Sequence, residues 1–365
     1  MQLKSDLINL KAMVEIDNLI RPHLRGIKPY SSARDEFEGT ASVFLDANEN
    51  PFGSADGSSY NRYPDPLQRN VKKKISLLKG VEIENIFLGN GSDEPIDLLF
   101  RLFCEPGVDK VITTPPTYGM YKVSADINNV KNVEVPLLEN FQLDVDSIIN
   151  AIDANVKMIF LCSPNNPSGN LLNSEDIRAI LNTFDGLVVI DEAYIDFTNE
   201  ESWLTRLSGY QNMVVLQTFS KAWGLAGLRL GMAFANEKII GYLNKIKPPY
   251  NINQATQELA SKALDNFKSV GDWVSVIVAE RKRISEKLLK LSTVKKVYSS
   301  DANFILVRLE GAGKLYRDLI EKGVVVRNRS NVLLCDDCLR ITIGTPSEND
   351  ILINELSTLI SQPIN

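Results

Sequence analysis

In the stretch TFSKAWGLAGLRLG, from Thr218 to Gly231, one lysine, Lys221, stands among hydroxylated, small and apolar residues with Arg229 behind it. A lysine ammonium in a largely apolar pocket loses hydration, so its pKa falls and it becomes an amine nucleophile. At a strand end it can equally be an ordinary solvated charge. Upstream, LVVIDEAY places Asp191 directly after four aliphatic residues, with Tyr194 shortly beyond. A carboxylate at the end of a buried strand is costly unless it meets a cation, and a structural arginine would serve as well as a ligand. KMIFLCSP runs into NNPSG, where Asn165 and Asn166 precede or flank Pro167 in a turn that turn chemistry alone explains. IFLGN leads through Gly91, Ser92 and Asp93 into an apolar helix. Free N–H groups at such a helix start attract phosphate, and Ser92 as a plain N-cap explains the same residues.

The elements that carry these groups belong to an ordinary globular chain. At 365 residues it exceeds what one hydrophobic core organises, so a large unit and a smaller one are expected. A formal net charge of −6 argues against general nucleic-acid binding, while arginines focused in a cleft still permit an anionic small molecule. No apolar run reaches membrane-spanning length and MQLKSDLINL lacks signal-peptide design, so a cytoplasmic location is expected. Four cysteines make no disulfide framework in a chain this long. Cys335 and Cys338 form a CDDC pair, but zinc would need a second ligand pair, and the only histidine, His23, is distant in sequence. No metal site is expected, and His23 reads as a packing or solvent residue.

Apolar residues from Asp6 to Ile20 recur at helical spacing and suit an N-terminal arm. From about Glu84 to Asn236, short apolar runs (IFLGN, KVITTPP, VEVPL, KMIFLCSP, LVVIDEAY, MVVLQTFS, LRLGMAF) alternate with helical stretches. Near-continuous Val, Ile, Leu and Phe predict strands buried on both faces of a mostly parallel α/β sheet, with ligands beyond the carboxyl ends. After Pro248 and Pro249 a long amphipathic helix is expected from Gln254 to Leu291, bent or interrupted near Gly271. VKKVYSS, NFILVRL, a helix through KLYRDLIEKG, VVVRNR, LRITIG and a final helix then predict a smaller α+β unit. The expected boundaries are 1–45 for the arm, 46–250 for the large unit and 251–365 for the small one.

An anion cradle, an amide, a carboxylate with a tyrosine, and a lysine, on successive α/β units, resemble the fold type I pyridoxal-phosphate aminotransferases. The motifs DANENPFG, RYPDP, GNGSDE, PPTYGMY, CSPNNPSG, DEAYIDF, SKAWGLAGLRLG and CLRITIGT are similar to those of the class II histidinol-phosphate aminotransferase family. The likeness runs from about Arg25 to Thr345.

The resemblance implies roles. Lys221 would tether pyridoxal 5′-phosphate and carry the proton between substrate and cofactor. Asp191 would hold the pyridine nitrogen protonated, and Asn166 and Tyr194 would grip the ring oxygen. Tyr118 would stack on the ring. Gly91, Ser92 and Asp93, with Thr218, Ser220 and Arg229, would hold the phosphate, joined by Tyr63 from the partner subunit of a homodimer with shared sites. Arg340 would grip a substrate carboxylate or phosphate, Arg327 would be a second phosphate-binding arginine, and Tyr30 and Asn48 would border the substrate. Arg329, two positions beyond Arg327, would share its face in a strand and either assist or lie exposed. The implied reaction is ping-pong transamination of L-histidinol phosphate and 2-oxoglutarate to imidazole-acetol phosphate and L-glutamate, a step of histidine biosynthesis. Threonine-phosphate decarboxylation and aromatic amino acid transamination are the rival activities on this scaffold, and a non-catalytic cofactor-binding regulator is the reading from another class.

Overall fold

The structure, a computed structural model, describes residues 14–30 and 41–361. Residues 6–13 of the expected N-terminal helix lie outside these; the described part forms one turn, Ile16–Leu19, whose Ile16 is buried together with Ile20. Arg21 follows and its guanidinium pairs with Glu105 at 3.0 Å, while its amide donates to the Leu102 carbonyl at the same distance, so the chain entering the fold is pinned to the helix Asp93–Phe103.

Seven strands build the larger sheet: β1 (Ile86–Asn90), β2 (Lys110–Thr113), β3 (Lys131–Glu134), β4 (Val156–Cys162), β5 (Leu187–Asp191), β6 (Met213–Thr218) and β7 (Leu230–Ala235). Their order is β1-β7-β6-β5-β4-β2-β3, and β7 alone runs against its neighbours. Successive side chains of a strand face opposite ways. In β5, accordingly, Val188 and Ile190 join one apolar core while Leu187 and Val189 join the other, which explains the unbroken apolar run in the sequence. The fold is the expected mostly parallel α/β architecture.

A second, antiparallel sheet contains β8 (Val294–Val297), β9 (Phe304–Leu309), β10 (Arg327–Asn328) and β11 (Cys338–Thr342), in the order β10-β11-β9-β8. Ile305, Val307, Leu339 and Ile341 pack against helix residues such as Leu319 and Leu356 in a core of their own. Two local expectations change. The long helix is interrupted, at Asn266 rather than near Gly271, giving Gln254–Asp265 and Phe267–Leu288; the Asn266 side chain donates to the Lys262 carbonyl. Such a bond terminates a helix by satisfying one of its orphan carbonyls. The VVVRNR run yields only the two-residue β10, with Val325 left 77% exposed. Cys335 and Cys338 are buried in the main core as free thiols. His23 is exposed in the short turn Pro22–Leu24. No helix of the described residues is long and apolar enough to cross a membrane.

Register brings the strand ends level. Cys162 stands opposite Asp191 in the β4–β5 pair, and Thr218 opposite Gly231 in the β6–β7 pair. The turn after β1 is pressed against β7: the Gly91 amide donates to the Arg229 carbonyl at 2.7 Å. A Cβ at Gly231 would lie 2.3 Å from the Gly91 carbonyl carbon and from the Ser92 nitrogen, so only glycine lets the helix start approach this closely.

Candidate active site

Beyond these carboxyl ends lies a cavity of about 230 Å³ lined by Ser92, Asp93, Tyr118, Asn166, Asp191, Tyr194, Thr218, Ser220, Lys221 and Arg229, together with Cys162, Ala193 and Ala226. Ten candidates dispersed over more than a hundred residues of sequence thus meet at one place. Gly91 stands just behind them, in the left-handed backbone conformation (φ 71°) that aims the following amides into the helix start.

One end of the cavity is built for an anion. The 11-residue helix Asp93–Phe103 begins there, and Ser92 makes no side-chain capping bond, so its hydroxyl is not spent as a plain N-cap. Thr218 and Ser220 hydroxyls lie 3.0 Å apart, and the Ser220 amide donates to the Thr218 hydroxyl at 3.0 Å. Arg229 Nη1 donates to the Ser220 hydroxyl at 3.4 Å, and its Nη2 lies 3.6 Å from Asp93 Oδ2. Amides at a helix start, hydroxyls and a guanidinium form the donor set of a phosphate site.

Asp191, in the same lining, is 2% exposed. It is held by the Tyr121 hydroxyl, which donates to Oδ2 at 2.6 Å, and by the Ala193 amide, which donates to Oδ1 at 3.1 Å, rather than by the arginine the sequence allowed. Burial raises its pKa above the ordinary carboxylate value, with those bonds opposing the rise. The Tyr118 hydroxyl donates to Asp93 Oδ1 at 3.0 Å, which places its ring along the cavity wall.

Lys221 forms no hydrogen bond or ion pair with the described residues; its Nζ lies 5.6 Å from the centre of the Tyr194 ring. Burial, then repulsion from Arg340, holds the amine below an ordinary lysine pKa. Asn166 joins the two sheets: its Nδ2 donates to the Tyr194 hydroxyl at 3.4 Å while its Oδ1 accepts from Arg340 Nη1 at 2.5 Å. Arg340 also lies over the Phe304 ring, 5.2 Å from its centre.

Arg340 and Arg327 stand opposite one another in the β11–β10 pair, which puts their side chains on one face. Arg327 is exposed and Arg329 is half-buried. Burial lowers the pKa of both Arg329 and Arg340, and repulsion from neighbouring arginines adds to it. Arg329 Nε, Ser330 Oγ and Arg340 Nε are buried without a hydrogen-bond partner among the described residues. Unmet donors on converging guanidiniums are the signature of a place for an anion.

Three sequence candidates lie elsewhere. Tyr63 and Asn48 border a separate groove with Tyr250, on which the Tyr63 ring stacks at 4.4 Å. Tyr30 is 73% exposed in another, beside Arg21 and Arg101. Tyr121 was not among the candidates, although it stands in PPTYGMY three positions after Tyr118, a spacing that puts both on one side of a helical turn.

Comparison with known proteins gives a consistent set of likenesses. A model of the aminotransferase class I and II family matches residues 34–356. The histidinol-phosphate aminotransferase of Parabacteroides distasonis is 55% identical over 347 residues, 95% of this chain and 99% of that protein. That of Cytophaga hutchinsonii is 54% identical over 343 residues, 94% and 99% respectively. Among solved structures, the histidinol-phosphate aminotransferase from Clostridium acetobutylicum superposes with a TM-score of 0.76 at 29% identity, covering 82% of this chain and 91% of that one.

Proposed function

The chain belongs to the class I and II aminotransferases, and on that premise we propose that it moves an amino group between L-histidinol phosphate and 2-oxoglutarate, giving imidazole-acetol phosphate and L-glutamate. The observation that carries the reading is the cavity itself. Its anion cradle, a lysine without a hydrogen bond or ion pair among the described residues, and a buried carboxylate line one cavity of about 230 Å³.

The cofactor is pyridoxal 5′-phosphate, which when bound supplies a conjugated ring that accepts electrons from the substrate Cα. The residues fit it. Ser92 with the helix start, Thr218, Ser220 and Arg229 would hold the phosphate. Tyr118 would cover the ring, Tyr194 and Asn166 would donate to the ring oxygen, and Asp191 would face the pyridine nitrogen. The lowered proton affinity of Lys221 suits it to tether the cofactor and then to take and return the proton at Cα. Histidine biosynthesis is the corresponding pathway role.

Substrate anions fall to the arginines. Arg340 would grip the α-carboxylate of glutamate or the phosphate of the other substrate, with Arg327 and Arg329 adding charge for the phosphate. Charge-assisted bonds of this type are worth roughly 1.5–3 kcal/mol each. Arg327→Ala or Arg329→Ala is therefore expected to raise the KM for histidinol phosphate about 10- to 100-fold while leaving that for glutamate nearly unchanged. Equal losses for the two substrates in steady-state kinetics would remove this role.

The working unit in this reading is a homodimer in which Tyr63 reaches the partner's phosphate cradle. Supporting it, Leu45 is 90% exposed and Phe52 96%, and Tyr63 borders a groove separate from its own chain's cavity. Sedimentation at the mass of two chains is the expected result, and a monomer with full activity would sink the shared site.

The reaction is tested directly by incubating purified protein with histidinol phosphate and 2-oxoglutarate. Release of glutamate is expected; carbon dioxide from threonine phosphate with no glutamate would overturn the reading.

A further inference from the structure

Tyr121 has no part in the chemistry described so far, yet it is the only side chain that bonds Asp191 among the described residues. It is fully buried. Its ring stacks on Phe160 with centres 4.8 Å apart and meets Tyr118 edge-on at 5.6 Å and 82°. Phe160 is stacked in turn on Phe100 at 5.5 Å. Packed on both sides, the ring has one orientation, and that orientation points the hydroxyl at Asp191 Oδ2.

The Ala193 amide occupies Oδ1 from the strand side. An ionised carboxylate has about four acceptor sites, so two remain for whatever lies in the cavity. We propose that Tyr121 is a positioning residue for the transamination: its hydroxyl aims Asp191 at the pyridine nitrogen and keeps the shared proton on the ring. This rests on the reading given under Proposed function.

When a carboxylate and a pyridine share a proton, it resides on the stronger base. A donor to the carboxylate weakens that base. Tyr121 does this against the burial that pushes Asp191 the other way. An arginine in its place would cancel the negative charge; a phenol leaves that charge for the ring. Burial and the adjacent Asp191 charge also hold the Tyr121 phenol well above its usual pKa, so it remains a donor throughout the working range.

The test uses holoenzyme loaded with pyridoxal phosphate labelled with ¹⁵N in the ring. Tyr121→Phe keeps the stacked ring and removes only the hydroxyl. The ring-nitrogen resonance is expected to move from its protonated position toward the neutral one, with kcat falling about 10- to 100-fold at nearly constant KM. In an Asp191→Asn background the same substitution should cost nothing further, since the two act as one unit. Leu319→Ala, in the separate core of the second sheet, should lower thermal stability without moving the resonance. An unmoved resonance in Tyr121→Phe, the full loss repeated in the Asp191→Asn background, or an equal shift in Leu319→Ala would each overturn the proposal. Wild-type protein that binds no pyridoxal phosphate would overturn the underlying reading instead.

Discussion

Lys221→Ala is expected to lower kcat by about 10,000-fold, the upper range for a positioned proton-transfer group, because the same amine also tethers the cofactor. Borohydride reduction of wild-type holoenzyme should fix the cofactor to the Lys221 peptide, and mass spectrometry should find no such peptide in the variant. An added small amine should restore part of the rate. Wild-type activity in Lys221→Ala would end the assignment. The pH dependence follows from the lowered pKa of this amine. The neutral nucleophile is present above that lowered value and is lost as pH falls through it. Cofactor attachment to apoprotein should therefore continue to lower pH than an ordinary lysine allows. Since Arg340 contributes to the lowering, Arg340→Ala should move the midpoint upward.

Asp191→Asn should divide activity and stability. Breaking one partner of a buried charge pair costs about 3–5 kcal/mol, which corresponds to roughly 100- to 1,000-fold or more in kcat if Asp191 meets a protonated ring. Cofactor should also leave faster. In apoprotein the outcome is the reverse. Burial raises the folded pKa of Asp191, so burying its carboxylate opposes folding above the ordinary carboxylate value, and the opposition fades as pH falls from the raised value to the ordinary one. The uncharged asparagine removes this cost, so apo Asp191→Asn should melt no lower than apo wild type near pH 7. Unchanged kcat, or a collapse of the apoprotein Tm, would contradict the role given to this carboxylate.

Both residues were conspicuous in the sequence because each follows an apolar run that reads as a buried strand, Asp191 directly after LVVI and Lys221 after MVVL and the short QTFS. β4, β5 and β6 announce themselves in this way, and so do the cradle of Gly91, Ser92 and Asp93 and the amide of Asn166. Tyr121 was silent because an aromatic in a helix reads as packing and its partner is 70 residues away. The unmet donors of Arg329 and Ser330 were silent too, since period-2 patterning places a face but not a hydrogen bond. The helix break fell at Asn266 rather than Gly271 because a local side-chain bond to the backbone ends a helix more decisively than one glycine. Tyr30 and Asn48 rested on the resemblance alone, and in a single chain they border other grooves.

The register of β5 has a consequence for how this chain can change length. Asp191 reaches the cavity because it ends a strand whose residues alternate between the two cores, opposite Cys162 and Leu216. One inserted residue within β5 would exchange the two faces and swing the carboxylate out of line with the ring nitrogen. Two would restore the face but raise Asp191 by about 6–7 Å, the span of two strand residues. Growth and loss of sequence should therefore be confined to the connections at the other end of the sheet, such as the one between Thr183 and Leu187, where no reacting group depends on the count.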